Sequence, residues 1–504
     1  MIPFGKFEPD KSIHNPSAST VILNVRPTAD GWGSLPKLSV FSDALAEDPR
    51  GAQTLVTASG TVTTFVGTKT AIYRLGSDGS WTDVSHTTYA LPDGDSWSFA
   101  IYGNRILATN SADGLFYYDV GSSSAFAAAA GSPPAAKYVA VVGEFVVLLN
   151  LASDPAGLQW SGIGNSEQWT SGEELSDGQT FPEGGDIRGI VPVENGAYIA
   201  QRDMWRQMTF SPGSGFTFAF TVANNARGVV AARSIVQIGQ GDFVYLSRDG
   251  FFRGIQGAPI GAERVDRTFY DELDAARTKT VDGAADPFEK IAWFRYPTLD
   301  GQSRLLGYDW QLDRWFMSTQ DVYSFGIFST SDVTLEELDS IFGNNLESVT
   351  GSIDDYVGAS PKFGGFDRDN KFGYFNGLSQ EAMLETADIE GFPGYRGFCR
   401  GARLVGDLRS YGPGTFDGTD IIVDETDIIA EDYESAQYTM QVGVSNYHGG
   451  ERTWSTINSP NQYTGEVPFR ASGRLHRYRV TITDDQDWNH VIGVEPNLTR
   501  EGKR

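Results

Sequence analysis

The sequence predicts an all-β protein: a β-propeller carrying a C-terminal β-sandwich domain and an extended N-terminal arm. Three observations lead there. Glycine is abundant, at 58 of 504 residues, and Phe, Trp and Tyr make up 12%; such a composition suits tight turns and half-buried strands better than helices. From residue 54 onward one unit recurs: a short apolar run, a turn with Gly or Asn, a second apolar run, a polar turn, then an aromatic strand. Asn195-Gly196 and Asp249-Gly250, flanked by β-formers, are two-residue hairpin signals within this unit.

Residues 1–45 contain Pro3, Pro9, Pro16, Pro27 and Pro36 and show little periodicity. They read as an arm that packs on another surface and is ordered by partner contacts. The propeller is expected over residues 46–378. Its first unit, TLVTASGTVTTFVGTKTAIYRLGSDGSWTDVS, predicts strands at 55–58, 63–67, 71–75 and 81–84. Later units turn at Gly103-Asn104, Asp113-Gly114, Gly143-Glu144 and Asp300-Gly301. Six or so units of roughly 30 to 45 residues, none able to bury both faces alone, favour radial stacking. Stacked sandwiches are the competing arrangement, but no Greek-key-length crossover separates the units.

Two helices are expected on the rim. Near 266–278, Asp266 can cap a helix whose Phe269, Leu273 and Ala276 share a face. Near 332–342, Thr334 and Glu337 form a capping-box pattern. A long loop and a final hairpin ending in KFGYFNG would then close the ring. Residues 379–504 change character, with longer strands that suggest a sandwich. An acidic loop over 410–433, with a short strand at 420–423, interrupts them.

The formal net charge of −26 argues against tight wrapping of nucleic acid. It suits solubility, or a wall along which DNA slides without adhering. Cys399 is the sole cysteine, so a disulfide within the chain and a cysteine-based metal cluster are excluded. MIPFGKFEPDKS lacks a signal-peptide layout, and the longest apolar run, 138–151, is too short to span a bilayer. A soluble protein made in a reducing compartment is expected.

Catalytic and cofactor motifs are missing. The Asp-Gly pairs read as hairpin turns, not as calcium loops, which need oxygen ligands at alternate spacing. FDRDNKFG, with Asp367, Asp369 and Asn370, is the most metal-like segment. The five histidines show no paired ligand spacing, and neither GxSxG nor GxxxxGK[ST] occurs. Hence no catalytic, cofactor-binding or metal residue is assigned, and no enzyme is expected. FRASGRLHRYRVTI places Arg470, Arg474, Arg477 and Arg479 together in an otherwise acidic chain. Alternation puts Arg477, Arg479 and Thr481 on one strand face, with Tyr478, Val480 and Ile482 on the other. The stripe is a candidate for subunit or DNA-channel contact, with a plain solvated face as the alternative.

FGKFEPD with NVRPTADGWGSLP, QWSGIGNSEQW, KFGYFNG and FRASGRLHRYRVTI with WNHVIGVEP together resemble virion proteins of tailed bacteriophages. The order of propeller units, rim helix and C-terminal β-domain resembles the tail hub, or packaged-DNA stabilisation protein, of short-tailed phages. That resemblance implies a hexameric ring below the portal and its adaptor, around the DNA exit channel, offering fibres, spikes or a needle a platform. It implies a virion protein made in the host bacterial cytoplasm, with no catalytic residues. The alternative is a host-surface glycan-binding tail module that uses exposed aromatics.

Overall fold

A computed structural model describes residues 1–502, apart from 13, 14, 16, 59, 214, 330–360, 409–436, 462 and 487. Strand accounts for 51% of it and helix for 4%. Among the described residues, six separate four-stranded sheets and a further run of four strands inside a ten-stranded sheet form the blades of a β-propeller. Blade one is the antiparallel meander Ala52–Val56, Val62–Gly67, Ile72–Leu75 and Trp81–Asp83. Blades two to five begin at Ser98–Tyr102, Ala136–Val142, Ile187–Val193 and Val236–Gly239. Blade six is Asp282–Asp286, Ile291–Pro297, Ser303–Asp309 and Arg314–Ser318. Blade seven takes Ser324–Ser329, Pro361–Phe366 and Lys371–Tyr374 from late in the chain, and its outer strand, Ser39–Ala44, from the arm. The first strand of blade seven lies beside that of blade one, which closes the ring.

The propeller therefore has one blade more than the repeat suggested. The seventh is assembled from two distant segments, so its pattern is not contiguous in the sequence. The hairpin ending in Tyr374 does not close the ring alone; Ser39–Ala44 does, crossing so near that a Cβ on Gly373 would collide with the backbone of Ser39. Aromatic side chains pack between blades. Phe218 of blade four meets Phe145 and Trp160 of blade three edge to face, with ring centroids 5.1 Å apart in each pair. Each fully buried side chain of this size contributes about 1.5–3 kcal/mol.

The hairpins occur where the turn signals lie, but two glycines serve a different purpose. Val193 pairs with Gly196 and Ser247 with Gly250, so each glycine opens the second strand and Glu194-Asn195 and Arg248-Asp249 make the turns. Gly250 has φ +133°, and a Cβ there would meet the carboxylate of Asp266.

The arm does not await a partner; it is laced into its own chain. Ile2–Pro3 and the hairpin Val25–Pro27/Trp32–Ser34 extend the sheet that contains His490–Arg500. Ile22–Leu23 pairs with Arg314–Ser318 on one side and Ala382–Glu385 on the other. Ile22, Val25 and Trp32 are at most 1% exposed. Short apolar pieces between prolines fill open sheet edges, which periodicity alone does not reveal.

Nor does the C-terminal part stand as a separate sandwich. One of its sheets orders Glu466–Gly473, Gly397–Asp407 and His490–Arg500 before the arm strands. The other, with Leu475–Ile482 at its centre, continues through Ile22–Leu23 into blade six. Phe251 and Trp315 of the propeller share one hydrophobic core with Tyr478 and Val494. The divisions drawn at 45/46 and 378/379 are thus crossed by continuous sheets.

Helix Asp266–Glu272 and the 3-10 turn Ala275–Thr280 lie between blades five and six. Asp266 does not cap its helix; its carboxylate accepts from the backbone N–H of Phe251 at 3.2 Å. The expected helix near 332–342 and strand at 420–423 lie outside the described residues.

Candidate functional site

The inner strands all start at the same end of the propeller channel, so residues just before or at those starts converge on its mouth. There they line a cavity of about 500 Å³. Arg50, Lys137, Arg188, Arg233 and Lys279 lie within three residues of the inner-strand starts of five blades, joined by Arg277 and by Arg295 from the second strand of blade six. The lining carboxylates are Asp93 and Asp95, and Tyr138 and Tyr323 supply aromatic walls. In a chain of net charge −26 this is a local reversal of sign.

Some of these cations are neutralised. Arg50 shares Asp93 with Lys69, both at 3.0 Å. Lys137 meets Asp95 at 2.6 Å and Arg188 meets Asp186 at 2.7 Å. Burial pushes the Asp95 carboxyl up, but Lys137 and the Ser111 hydroxyl outweigh it and hold it below its ordinary value. Arg233 reaches Asp282 at 2.5 Å, and burial still holds the Asp282 carboxyl above its ordinary range.

Arg277, Lys279 and Arg295 have no ion pair among the described residues. Arg277 and Lys279 are exposed. Arg295 is 7% exposed; one Nη donates to the Thr280 carbonyl at 3.2 Å, and its Nε lacks a partner among the described residues. Burial brings its guanidinium down to about 10. Arg295 and Arg368 each lie 5.8 Å from the ring of Tyr323. The mouth can therefore hold an anion by several charge-assisted hydrogen bonds.

The remaining candidates are occupied by structure. A shallow cavity of about 550 Å³ on the rim is lined by Arg105, Asp119 and Glu167. Arg105 pairs with both carboxylates, at 2.7 and 2.8 Å. Asp367 caps the last hairpin of blade seven, accepting from the N–H groups of Asp369 and Lys371 at 2.9 and 2.8 Å. Among the described residues no group of three or more His, Cys, Asp or Glu is placed to hold a metal.

The arginine stripe divides. Arg477 is 7% exposed and bonds Glu385 at 3.3 Å and Asp388 at 2.8 Å. Arg479 reaches Glu385 at 2.6 Å and stacks 4.2 Å above the ring of Trp454. Both are committed within the chain, because the strand next to theirs presents buried carboxylates. Arg474 pairs with Glu390 at 3.2 Å, and Arg470 is exposed. Only these two remain placed to meet another molecule.

Sequence reasoning missed the channel mouth. A signal was there: Arg50, Lys137, Arg188, Arg233 and Lys279 each lie within three residues of the start of an inner strand, in five of the seven blades. Arg295 carried no such mark.

No known protein-family model matches the chain, and no curated protein matches it. Among solved structures, a computationally designed protein, Ika8, is similar over 68% of this chain and 99% of its own, at 10% identity and a TM-score of 0.35. BamB from Moraxella catarrhalis is similar over 70% of this chain and 96% of its own, at 12% identity and a TM-score of 0.34. Likenesses of this strength say nothing of function.

Proposed function

We propose that this chain is a structural virion protein of a phage tail: a subunit of a hub or nozzle ring around the DNA exit channel. It would retain packaged DNA and offer fibres or spikes a platform. The observation that supports this reading is mechanical. Backbone pairing runs from blade six through Ile22–Leu23 into Ala382–Glu385 and Leu475–Ile482, and a second arm strand closes the propeller. A body tied together in this way carries load between its two ends through hydrogen bonds within sheets. The acidic charge suits a wall that DNA passes without adhering.

Its partners would be further copies of itself in a hexameric ring, the portal and adaptor proteins, tail fibres, spikes or a needle, and DNA in passage. Native mass spectrometry of the full chain, alone and with its portal and adaptor, tests this. A closed ring in either mixture is expected; a monomer in both would overturn the reading. A second reading, a host-surface glycan-binding tail module, draws on Tyr447 and Tyr463, which are 68% and 95% exposed. Selective retention on a glycan array, lost in Tyr463→Ala, would favour it.

A further inference from the structure

We propose that the mouth of the propeller channel binds a small phosphate-bearing ligand, held by Arg295, Arg277 and Lys279. The inference stands apart from the tail reading and does not rest on it.

Its first support is the charge imbalance. Seven cations line the cavity; Asp93, Asp95, Asp186 and Asp282 answer four of them, which leaves Arg277, Lys279 and Arg295 without an ion pair among the described residues. A purely structural network has no need of this surplus. The rim cavity shows the contrast, since there Arg105 meets two carboxylates.

The second support is Arg295, more than nine-tenths buried, lining the cavity and holding an unpartnered Nε. The Asp282 charge favours this guanidinium but does not offset its burial, and a buried guanidinium with no direct ion pair and an unbonded Nε is costly. An anion entering from the mouth would supply the missing acceptor.

The third is chemical fit. Planar guanidinium forks match the oxygens of phosphate, and a ligand with two or more negative charges answers several cations at once. Arg277 and Lys279 are exposed on one wall, and Lys279 lies near enough to Asp95 to lower its carboxyl. These two would guide an anion toward the recessed Arg295. A cavity of about 500 Å³ suits a sugar phosphate or a dinucleotide.

Isothermal titration of the full chain tests this with pyrophosphate, a hexose 6-phosphate and a 5′-phosphorylated dinucleotide. Glucose and sodium chloride at matched ionic strength serve as controls. The expected result is saturable one-to-one binding of at least one phosphate probe. Whichever organic phosphate binds more tightly than pyrophosphate then identifies the source. The Arg277→Ala/Lys279→Ala double variant changes only exposed side chains and should weaken binding at least ~10-fold; Arg295→Met should weaken it ~10- to 100-fold, as charge-assisted bonds predict. Arg474→Ala, remote from the mouth, should bind as the parent does. Heats no greater than the salt control for all three phosphates would overturn the proposal. So would binding that the double variant leaves unchanged, or binding of glucose alone.

Discussion

Arg295 stands directly across the first strand pair of blade six from Asp282, yet the Asp282 carboxylate turns to Arg233, at 2.5 Å. One buried carboxylate thus sits among two guanidiniums and satisfies only the more exposed of them. Removing it strands Arg233 and also takes away a charge that favours Arg295, whereas removing Arg295 deletes a charge that is already poorly answered. Asp282→Ala should cost about 3–5 kcal/mol, and Arg295→Met should stay within about 1 kcal/mol of the parent. Urea denaturation of the two variants checks the difference. Equal losses would mean that Asp282 serves Arg295 as its counterion.

A pair of carboxylates elsewhere behaves differently. Glu385 and Asp388 are answered by Arg477, Arg479 and Arg452. Arg477→Met should destabilise by about 3–5 kcal/mol by leaving buried carboxylates short of a partner. Arg470→Ala, at an exposed position, should change stability by less than about 0.5 kcal/mol. Parallel denaturation curves separate the structural arginine from the free one.

Asp266 is raised to about 6, by burial first and by the neighbouring Asp10 and Asp249 charges after it. The folded state then holds a proton more tightly than the unfolded chain. This group's contribution is therefore greatest at low pH and is lost as pH rises from about 4 through 6. Buried His476 is shifted down and works in the opposite sense over a neighbouring range, so the parent's curve alone does not isolate Asp266. Asp266→Asn keeps an acceptor for Phe251. Once the effect is discounted for partial exposure, it should stabilise the protein by up to ~2 kcal/mol at pH 7 and have little effect at pH 4. Melting temperatures of both proteins across that range provide the test.

Ring closure depends on Gly373, where the arm crosses too near for a side chain. Gly373→Val should displace Ser39–Ala44 and cost upward of about 2 kcal/mol. Deleting residues 1–36 should yield an insoluble or unfolded chain, because Ile22, Val25 and Trp32 leave the core with it. Proteolysis and circular dichroism report both outcomes.

These positions also mark how far the sequence could be read. Blades one to six were legible because each meander is contiguous and its turns carry Gly, Asn or Asp. Blade seven was not, since Ser39–Ala44 joins Lys371–Tyr374 from more than three hundred residues away and no local pattern encodes that pairing. The arm looked unpartnered for the same reason. In the arginine stripe, alternation correctly put Arg477 and Arg479 on one face, but alternation cannot tell whether a face meets solvent or the carboxylates of Glu385 and Asp388. The channel mouth was legible only through the basic residues that fall near the starts of five inner strands. Arg295 lies one strand further out and became visible only once Asp282 was paired across from it.

The central claim concerns where this chain works. Electron microscopy of purified virions labelled with a gold-conjugated antibody against it tests that most directly. Label on the tail axis, close beneath the portal, is expected. Label on the capsid shell, or virions that lack the chain, would contradict it.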